Sequence, residues 1–361
     1  MQWLALILVL PYLWLLLGIY RGLKKINRFI PENHNNQFIS VIIACRNEEK
    51  NLPRLLKDLS AQVYPSQSFE VIIVDDNSTD ASYQLASSFK GITNLNVIRN
   101  NGSGKKTAIL TGAGAAKGSL IVTTDADCMT GTKWLQTISS FCSLTSADLI
   151  ISPVILENGS GFTGKFAELE FLSLQGVTAG TLMQGSGIMC NGANLAFRRE
   201  AYFANIQNLH FEIPSGDDVF LLHSMKKDNA CKIVWLEAIE AAVRTESPLS
   251  SGKFFRQRGR WISKALSIND SYSIALGIVT FVTILVMIAS LAAALFDYRY
   301  LYIYLAVTLL KSIPDYLIIS NTAGRYNKKE LMSWFLPSQL FYPFYVLVSV
   351  IYGILSRQKW S

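Results

Sequence analysis

The sequence predicts an α/β domain with a mostly parallel sheet, flanked by one N-terminal and about three C-terminal transmembrane helices. Three observations support this prediction. Half of the 361 residues are hydrophobic and only 16% are charged, whereas ordinary soluble domains carry about 25% charged residues. The longest apolar runs lie at the two ends of the chain. Between them, short β-branched runs alternate with helical stretches, which is typical of a parallel sheet covered by helices.

The charge balance and the cysteines narrow the range of partners. The chain has 33 basic and 26 acidic residues, a net charge of +7. Such an excess suits anionic lipid or a phosphate-bearing substrate; with this hydrophobicity no nucleic-acid partner is expected. The cysteines form no Cys-x-x-Cys pair, which indicates reduced thiols facing a cytoplasm rather than a disulfide or zinc framework. They are Cys45, Cys128, Cys142, Cys190 and Cys231.

The N-terminal run, residues 1–20, contains no Lys or Arg. A run of this length can cross the roughly 30 Å hydrocarbon core of a bilayer. A secretory signal peptide would instead begin with basic residues and end at a small-residue cleavage site. Here the basic residues follow the run, in a juxtamembrane linker over 21–37; they are Arg21, Lys24, Lys25 and Arg28. We therefore expect an uncleaved anchor with the following residues in the cytoplasm.

Three further runs, 274–296, 300–319 and 332–355, predict transmembrane helices within the segment 271–361. The loop between the second and third of these carries Arg325, Lys328 and Lys329. An in–out–in–out path places this basic loop inside, in agreement with the N-terminal anchor. The tail residues Arg357 and Lys359 would then lie outside, which conflicts with the same rule for the last helix.

Lys311 and Asp315 interrupt the second of these runs and lie four residues apart, on one helix face. One interpretation is a polar point that contacts a lipid substrate. The other, which we favour, is a mutually satisfied pair near Pro314.

Residues 38–245 form the predicted α/β domain. Strands are expected over 38–44, 69–74, 96–99 and 120–124, with helices such as 52–59 and 105–116 between them. Ligands of such sheets bind beyond the carboxyl ends of the strands. The polar residues at those ends are Arg46, Asn47 and Glu48, Asp75 and Asp76, and Asp125 and Asp127. The glycine pairs at 102 and 104 and at 112 and 114 do not continue into Gly-x-Gly-x-x-Gly, because Thr107 and Lys117 stand where the third glycine would be. No Walker A pattern occurs either, so a nicotinamide or P-loop enzyme is poorly supported.

Two acidic motifs follow predicted strands. The carboxylates of Asp125 and Asp127 can share a hard divalent cation with a diphosphate, although an Asp at a strand end is often only a helix cap. The second motif is the run Asp75-Asp76-Asn77-Ser78, in which a carboxylate can accept the ring N–H of a pyrimidine base. When this run is taken alone, turn and cap chemistry is the better explanation.

Three more motifs also have a functional and a structural interpretation. Gly102 to Lys106 precedes a helix and suits a phosphate or a solvated basic turn. Gly216-Asp217-Asp218 offers a general base or a helix cap. Gln257-Arg258-Gly259-Arg260-Trp261 combines bidentate arginines with a stacking face, or forms an interfacial helix in the segment 246–270.

The order of these motifs resembles the membrane-bound family 2 inverting glycosyltransferases of GT-A fold. Asp-Asp-Asn-Ser, Asp-x-Asp, Gly-Asp-Asp and Gln-x-x-Arg-Trp are followed at once by membrane helices, and the resemblance covers roughly residues 38–265. The family includes ceramide glucosyltransferases and the cellulose, hyaluronan and poly-N-acetylglucosamine synthases. Further matches lie at 44–49, at Lys105 with Ala108 and Gly112, and at 191–197.

The resemblance implies a role for each matched residue. The nucleotide-sugar site comprises Arg46, Glu48, Asp76, Lys105 and Asp125. Asp125 and Asp127 hold Mg²⁺ or Mn²⁺, and Asp218 is the general base, although Asp217 precedes it where the family usually has Glu, so the choice between the two is open. Gln257, Arg260 and Trp261 take the acceptor and diphosphate, while Arg258 occupies a variable position.

The expected activity is metal-dependent transfer, with inversion, of a hexosyl or N-acetylhexosaminyl group from a nucleotide sugar, most simply a UDP-sugar. The acceptor would be a membrane-associated lipid, and the enzyme would lie in the bacterial inner membrane with its catalytic domain in the cytoplasm. Four membrane helices favour this single transfer over a processive polysaccharide synthase that exports its glycan. A non-catalytic membrane scaffold is disfavoured because every expected acidic position is filled.

Overall fold

A computed structural model describes residues 2–31, 37–213, 216–228, 230–248, 250–265 and 267–355. The described residues cluster into two compact units. The sheet unit comprises Asn27–Glu157 and Met189–Glu246; the helical unit comprises Met1–Ile26, Asn158–Ile188 and Ser247–Arg357. Residues 158–188 thus cluster with the long helices, although they lie within the range 38–245.

The α/β prediction with a mostly parallel sheet is confirmed. The strands are β1 (Ile39–Cys45), β2 (Phe69–Asp75), β3 (Leu95–Arg99), β4 (Leu120–Thr123), β5 (Met129–Thr130), β6 (Leu149–Ile151), β7 (Val154–Glu157), β8 (Leu195–Arg198), β9 (Ile233–Trp235) and β10 (Val243–Glu246). Seven strands form one sheet in the order β3-β2-β1-β4-β8-β6-β9, and the small second sheet has the order β5-β10-β7. In the large sheet, β3, β2, β1 and β4 are parallel, whereas β8 runs antiparallel to both β4 and β6.

The helices of the described residues are given in chain order. They are α1 (Gln2–Lys24), α2 (Leu52–Ser60), α3 (Ser82–Ser88), α4 (Lys105–Ala115), α5 (Trp134–Thr145), α6 (Gly161–Leu182), α7 (Arg199–Asn205), α8 (Asp217–Lys227), α9 (Ser251–Ala265), α10 (Ser271–Ala293), α11 (Arg299–Arg325) and α12 (Phe335–Leu355). The sheet unit contains α2 to α5, α7 and α8, and the helical unit contains the others.

Burial on both faces explains why the central strands form where the sequence predicts them. Every residue of β2 is buried and β1 is nearly so, as expected for parallel strands covered by helices on both sides. Helix α4 approaches this sheet closely at Gly112, where a Cβ atom would lie 2.6 Å from Cγ2 of Ile42. Glycine at this position therefore lets α4 pack on β1, and the first residue of α4 is Lys105.

Four helices of the helical unit are long and apolar enough to cross a membrane, by length and composition. They span Leu4–Lys24, Ser271–Ala293, Arg299–Arg325 and Lys329–Ile354. These four segments coincide with the four apolar runs of the sequence. Large apolar side chains along them are exposed, for example Trp14 at 74% and Leu309 at 67%, as expected for surfaces that face lipid.

Helix α6 packs against α1 where Gly22 of α1 meets Gly180 of α6; each is the second glycine of a Gly-x-x-x-Gly motif. A Cβ atom on Gly180 would lie 2.4 Å from the carbonyl oxygen of Ile19, and a Cβ atom on Gly22 would lie 2.4 Å from that of Gly180. Small residues in this spacing let helix backbones approach closely in membranes. The two helices therefore depend on glycine at their crossing point.

The Lys311 and Asp315 side chains form the expected pair inside the helical unit. Lys311 Nζ lies 2.5 Å from an Asp315 carboxylate oxygen and 2.9 Å from Gln339 Oε1. The Tyr12 hydroxyl donates to the other Asp315 oxygen at 2.6 Å. The pair therefore ties together α1, α11 and α12, which confirms the favoured interpretation of a mutually satisfied pair.

Arg325, in the last turn of α11, donates hydrogen bonds to the carbonyl oxygens of Leu23 and Ile26 at 2.9 and 3.2 Å. Those carbonyls belong to the last turn of α1 and the residues after it, which lack partners within the helix. The C-terminal ends of α1 and α11 therefore meet at one face of the helical unit, as the in–out–in–out path requires.

Replacing Gly180 with Ala is expected to destabilise the protein, because the added methyl group would collide with a backbone carbonyl of α1 that cannot rotate away. Overpacking of this kind costs about 2 kcal/mol. Thermal or denaturant unfolding in detergent micelles measures the loss. Gly277→Ala is the matched control: Gly277 lies within α10, and a Cβ atom there would meet nothing within 4 Å. Equal stability of the two variants would contradict this account of the α1–α6 crossing.

Candidate active site

The turns that follow β1 and β2 are joined by reciprocal hydrogen bonds. The backbone N–H of Asn47 donates to Ser78 Oγ at 3.0 Å, and the N–H of Thr79 donates to Asn47 Oδ1 at 2.8 Å. The N–H of Glu48 donates to Ser82 Oγ at 2.7 Å. Asn47 and Asn77 have φ values of 57° and 58°, in the left-handed region that Asn tolerates better than most residues. These contacts fix the edge of the sheet on which the site residues lie.

Asp76 fastens the glycine-rich loop before α4. Its side chain is fully buried, and both of its oxygens lie 3.0 Å from the backbone N–H of Gly104. Asn100 Nδ2 donates to it at 2.6 Å, and Arg46 Nη1 lies 3.7 Å away. The carboxylate thereby holds the loop and the start of α4 in place. Its assignment to nucleoside binding stays a prediction.

Lys105 is the positive centre of the site. Its Nζ lies 2.5 Å from Asp125 Oδ1, and the carboxylates of Asp217 and Asp218 also act on its charge. Burial acts to lower the pKa of Lys105, but the carboxylates of Asp125, Asp217 and Asp218 together raise it above its ordinary value. Lys105 is therefore charged at neutral pH and is shared between the end of β4 and the start of α8.

Asp217 and Asp218 occupy the first turn of α8, next to the segment that precedes β8. Asp218 Oδ2 accepts from the backbone N–H of Gly192 at 3.0 Å, and Oδ1 accepts from the N–H of Val219 at 2.7 Å. A Cβ atom on Gly192 would lie 3.2 Å from Asp217 Oδ2 and 3.4 Å from Lys105 Nζ. Both acids therefore belong to the same cluster as Lys105, and both remain candidates for the general base.

Asp127 follows Asp125 by two residues, and less positive charge offsets the burial of its carboxylate. Burial raises the pKa of Asp127 to about 6, and the negative charges of Asp125 and Glu48 add to the increase, while Lys105 opposes it. Burial likewise raises the pKa of Glu48, with Asp125 and Asp80 contributing. This corner of the site holds more negative charge than Lys105 neutralises, so it would gain from a bound cation.

Residues 40–205 match the family model described as Glycosyl transferase family 2. The chain carries a glycosyl transferase family 2 domain. It is 31% identical over 140 residues to the glycosyltransferase AglE of Haloferax volcanii, a match that covers 38% of this chain and 46% of AglE. It is 39% identical over 99 residues to an undecaprenyl-phosphate 4-deoxy-4-formamido-L-arabinose transferase of Aeromonas hydrophila, covering 26% of this chain and 30% of that protein.

The matches therefore span less than half the length of these curated relatives. Among solved structures, the mannosyltransferase PcManGT of Pyrobaculum calidifontis, in complex with GDP-Man and Mn²⁺, is similar over 98% of this chain and 96% of its own. The TM-score is 0.57 and the sequence identity 16%. This similarity confirms the predicted GT-A fold.

The acidic residues of the family 2 domain suit a hard divalent cation. Asp125 and Asp127 offer only carboxylate oxygens, the donors that Mg²⁺ and Mn²⁺ prefer. The pKa of Asp127 is raised by burial and then by the charges of Asp125 and Glu48, and a bound cation would offset both effects. Within the part of the chain that the structure describes, no group of three or more His, Cys, Asp or Glu side chains is arranged to hold a metal. A cation held by Asp125 and Asp127 would therefore need further ligands beyond these two carboxylates.

The predicted acceptor residues lie on α9, in the helical unit. Gln257, Arg260 and Trp261 are half-buried, and Gln257 Oε1 accepts a hydrogen bond from Arg258 Nη1 at 3.0 Å. Burial lowers the pKa of Arg260, and the neighbouring charge of Arg256 lowers it further. The other predicted site residues, namely Arg46, Glu48, Asp76, Lys105, Asp125, Asp127, Asp217 and Asp218, come together in the sheet unit.

Sequence reasoning left out the roles of several residues around the family 2 site. Lys106 belongs to the predicted phosphate loop, but it is buried and donates to the carbonyl oxygens of Leu209 and His210 at 2.7 and 2.6 Å. Asn194 is also buried: its Nδ2 donates to two carbonyls, and its Oδ1 accepts from Trp134 at 3.0 Å. Adjacent lysines and an Asn in a short apolar segment give no sign of such inward contacts.

Proposed function

We propose that the chain is a membrane-bound glycosyltransferase that moves a sugar from a nucleotide-sugar donor to a lipid acceptor with inversion. The observation that carries the proposal is the Lys105 cluster within a family 2 domain. One ammonium group and the carboxylates of Asp125, Asp217 and Asp218 converge there from three segments. Charge of both signs in one small site suits a reaction in which a diphosphate leaves and a proton is removed.

The donor side of the mechanism rests on the turns after β1, β2 and β4. Arg46 and Asp76 would hold the nucleoside, with Glu48 beside them. Lys105 lies at the N-terminus of α4, where backbone N–H groups and the helix dipole favour a phosphate. Asp125 and Asp127 would hold Mg²⁺ or Mn²⁺, and that ion would neutralise charge on the leaving diphosphate.

The acceptor side requires a nucleophile on the sugar face opposite the diphosphate. An acceptor hydroxyl attacks the anomeric carbon, the bond to the diphosphate oxygen breaks, and the hydroxyl proton passes to Asp218 or Asp217. The single displacement inverts the anomeric centre. A lipid-phosphate acceptor would already be anionic near neutral pH and would need little help from a base. The effect of removing the base on the transfer rate therefore distinguishes a hydroxyl acceptor from a phosphate acceptor.

The membrane setting supports a lipid acceptor. Four helices are long and apolar enough to cross a membrane, and a relative of this chain is named for its action on undecaprenyl phosphate. We place the family 2 domain on the cytoplasmic side of a bacterial inner membrane, because the basic residues after α1 and α11 cluster there. Gln257, Arg260 and Trp261 would then bind the acceptor and the diphosphate.

The proposal predicts that the chain, reconstituted into sealed vesicles, transfers sugar from a nucleotide sugar to lipid. The donors to test are UDP-glucose, UDP-N-acetylglucosamine and GDP-mannose. Undecaprenyl phosphate and total membrane lipid serve as acceptor probes, and organic extraction separates glycolipid from polymer. Transfer should occur only when the family 2 domain lies on the side of the vesicle membrane to which the nucleotide sugar is added. A chelator of divalent cations should abolish the transfer.

Two results would contradict this expectation. Full turnover in the presence of a chelator would show that the reaction does not require a metal. A labelled product that stays in the aqueous phase and grows in length would instead identify a processive polysaccharide synthase.

Asp218→Asn is expected to slow transfer to a hydroxyl acceptor by about a hundredfold or more, because the base is lost. Donor affinity should stay near the wild-type value, since the amide still accepts from Gly192. Single-turnover rates and titration with the nucleoside diphosphate measure the two quantities separately. The exposed Asp228→Asn, at the far end of α8, is the control and should behave as wild type. If Asp217→Asn alone shows the rate defect, the base is Asp217; if Asp218→Asn abolishes donor binding, its role as base is wrong.

A further inference from the structure

Arg258 is among the largest fully buried side chains of the described residues, at 2% exposure. It stands at a variable position of Gln-x-x-Arg-Trp, for which the family resemblance implies no role. A buried guanidinium is costly unless it is paired and hydrogen-bonded. The contacts of the Arg258 guanidinium therefore indicate its role.

One side of the Arg258 guanidinium is fixed by Glu170 of α6. Nη2 lies 2.5 Å from Glu170 Oε2, and only 9% of the Glu170 side chain is exposed. The other carboxylate oxygen, Oε1, accepts from the Tyr345 hydroxyl of α12 at 2.9 Å. The charge on Arg258 is thus anchored by two helices other than its own.

The other side of the guanidinium contacts the two motif residues that flank it on α9. Nη1 donates to Gln257 Oε1 at 3.0 Å, so the Gln257 amide is held with its NH₂ group turned away from Arg258. The guanidinium carbon lies 4.1 Å from the centroid of the Trp261 ring, a distance typical of a cation–π contact. Trp261 is half-buried, so part of the indole remains accessible.

We propose that Arg258 is a positioning residue: anchored by Glu170, it sets the orientation of the Gln257 amide and of the Trp261 indole. This inference rests on the proposed function for the roles of those two residues, but the contacts stand independently. The task requires arginine, because a planar fork can pair with a carboxylate, donate to an amide and stack on an indole at once. A lysine ammonium cannot do all three.

Fluorine NMR tests the positioning itself. The protein is labelled with 5-fluorotryptophan in detergent micelles, and Trp261→Phe identifies the Trp261 resonance among the seven tryptophans. Arg258→Lys and Glu170→Gln should both shift that resonance and leave the others in place. Arg299→Lys, which alters the exposed Arg299–Asp297 pair of the same unit, is the matched control and should shift nothing. A Trp261 resonance unmoved by Arg258→Lys would overturn the proposal.

Kinetics test the consequence, with nucleotide sugar as donor and undecaprenyl phosphate or membrane lipid as acceptor. Arg258→Lys should lower kcat/KM for the acceptor by about tenfold to a hundredfold, as misplaced groups do. The dissociation constant for the donor should change by a smaller factor, because Lys105 and the other donor-side residues are untouched. Tyr345→Phe, which removes one hydrogen bond to Glu170, should act in the same direction but less strongly.

Together, the NMR and kinetic experiments show whether the positioning role or the proposed function is wrong. If Arg258→Lys shifts the Trp261 resonance but acceptor kinetics are unchanged, the positioning role in the reaction is wrong. If wild-type protein transfers no sugar from any donor, the proposed function fails, and the Trp261 resonance alone decides whether Arg258 orients the indole. If the Arg258→Lys protein does not fold, Glu170→Gln and Tyr345→Phe, which nearly preserve side-chain volume, replace it in both the NMR and the kinetic experiments.

Discussion

The contact between the Lys105 ammonium and the Asp125 carboxylate is the interaction on which the rest of the site depends. It joins the start of α4 to the end of β4, and the negative charges of Asp217 and Asp218 at the start of α8 act on the same ammonium. Without a shared cation, these carboxylates would repel one another in a partly buried space. The fold must therefore bring three distant segments to one point, and it must do so with a lysine that remains charged.

The sheet satisfies this constraint through its strand order. Because β3, β2, β1 and β4 are parallel, the residues that follow β1, β2 and β4 emerge at the same edge. Gly112 lets α4 pack against β1, which directs its N-terminus to that edge. Asp76 then holds the loop before α4 through the N–H of Gly104. The same side chain that the family resemblance assigns to the nucleoside thus also stabilises the turn that presents Lys105.

Local sequence patterns predict much of this structure but not its long-range contacts. The central strands and the four apolar helices follow from runs of apolar residues, so their positions agree with the sequence to within a few residues. The contacts of Lys106, Asn194 and Glu170 join residues far apart in the chain, and no local periodicity encodes them. Helix α6 is a second example. Its polar residues interrupt the apolar pattern, so the sequence does not indicate that it packs among the long helices, where Gly180 contacts the backbone of α1. The burial of Arg258 is not evident from the sequence either, because a motif position that varies in a family gives no sign of burial.

Titration calorimetry with UDP-N-acetylglucosamine and GDP-mannose, in the presence of Mn²⁺, tests the central claim that Lys105 organises the site and meets the donor diphosphate. The comparison is between Lys105→Met and Lys117→Met, which removes an exposed ammonium just beyond the other end of α4. Loss of a charged hydrogen bond costs about 2 kcal/mol, so Lys105→Met should weaken binding of the donor by more than tenfold, whereas Lys117→Met should bind it as wild type does. A Lys105→Met protein that is folded and binds the donor with wild-type affinity would contradict the account.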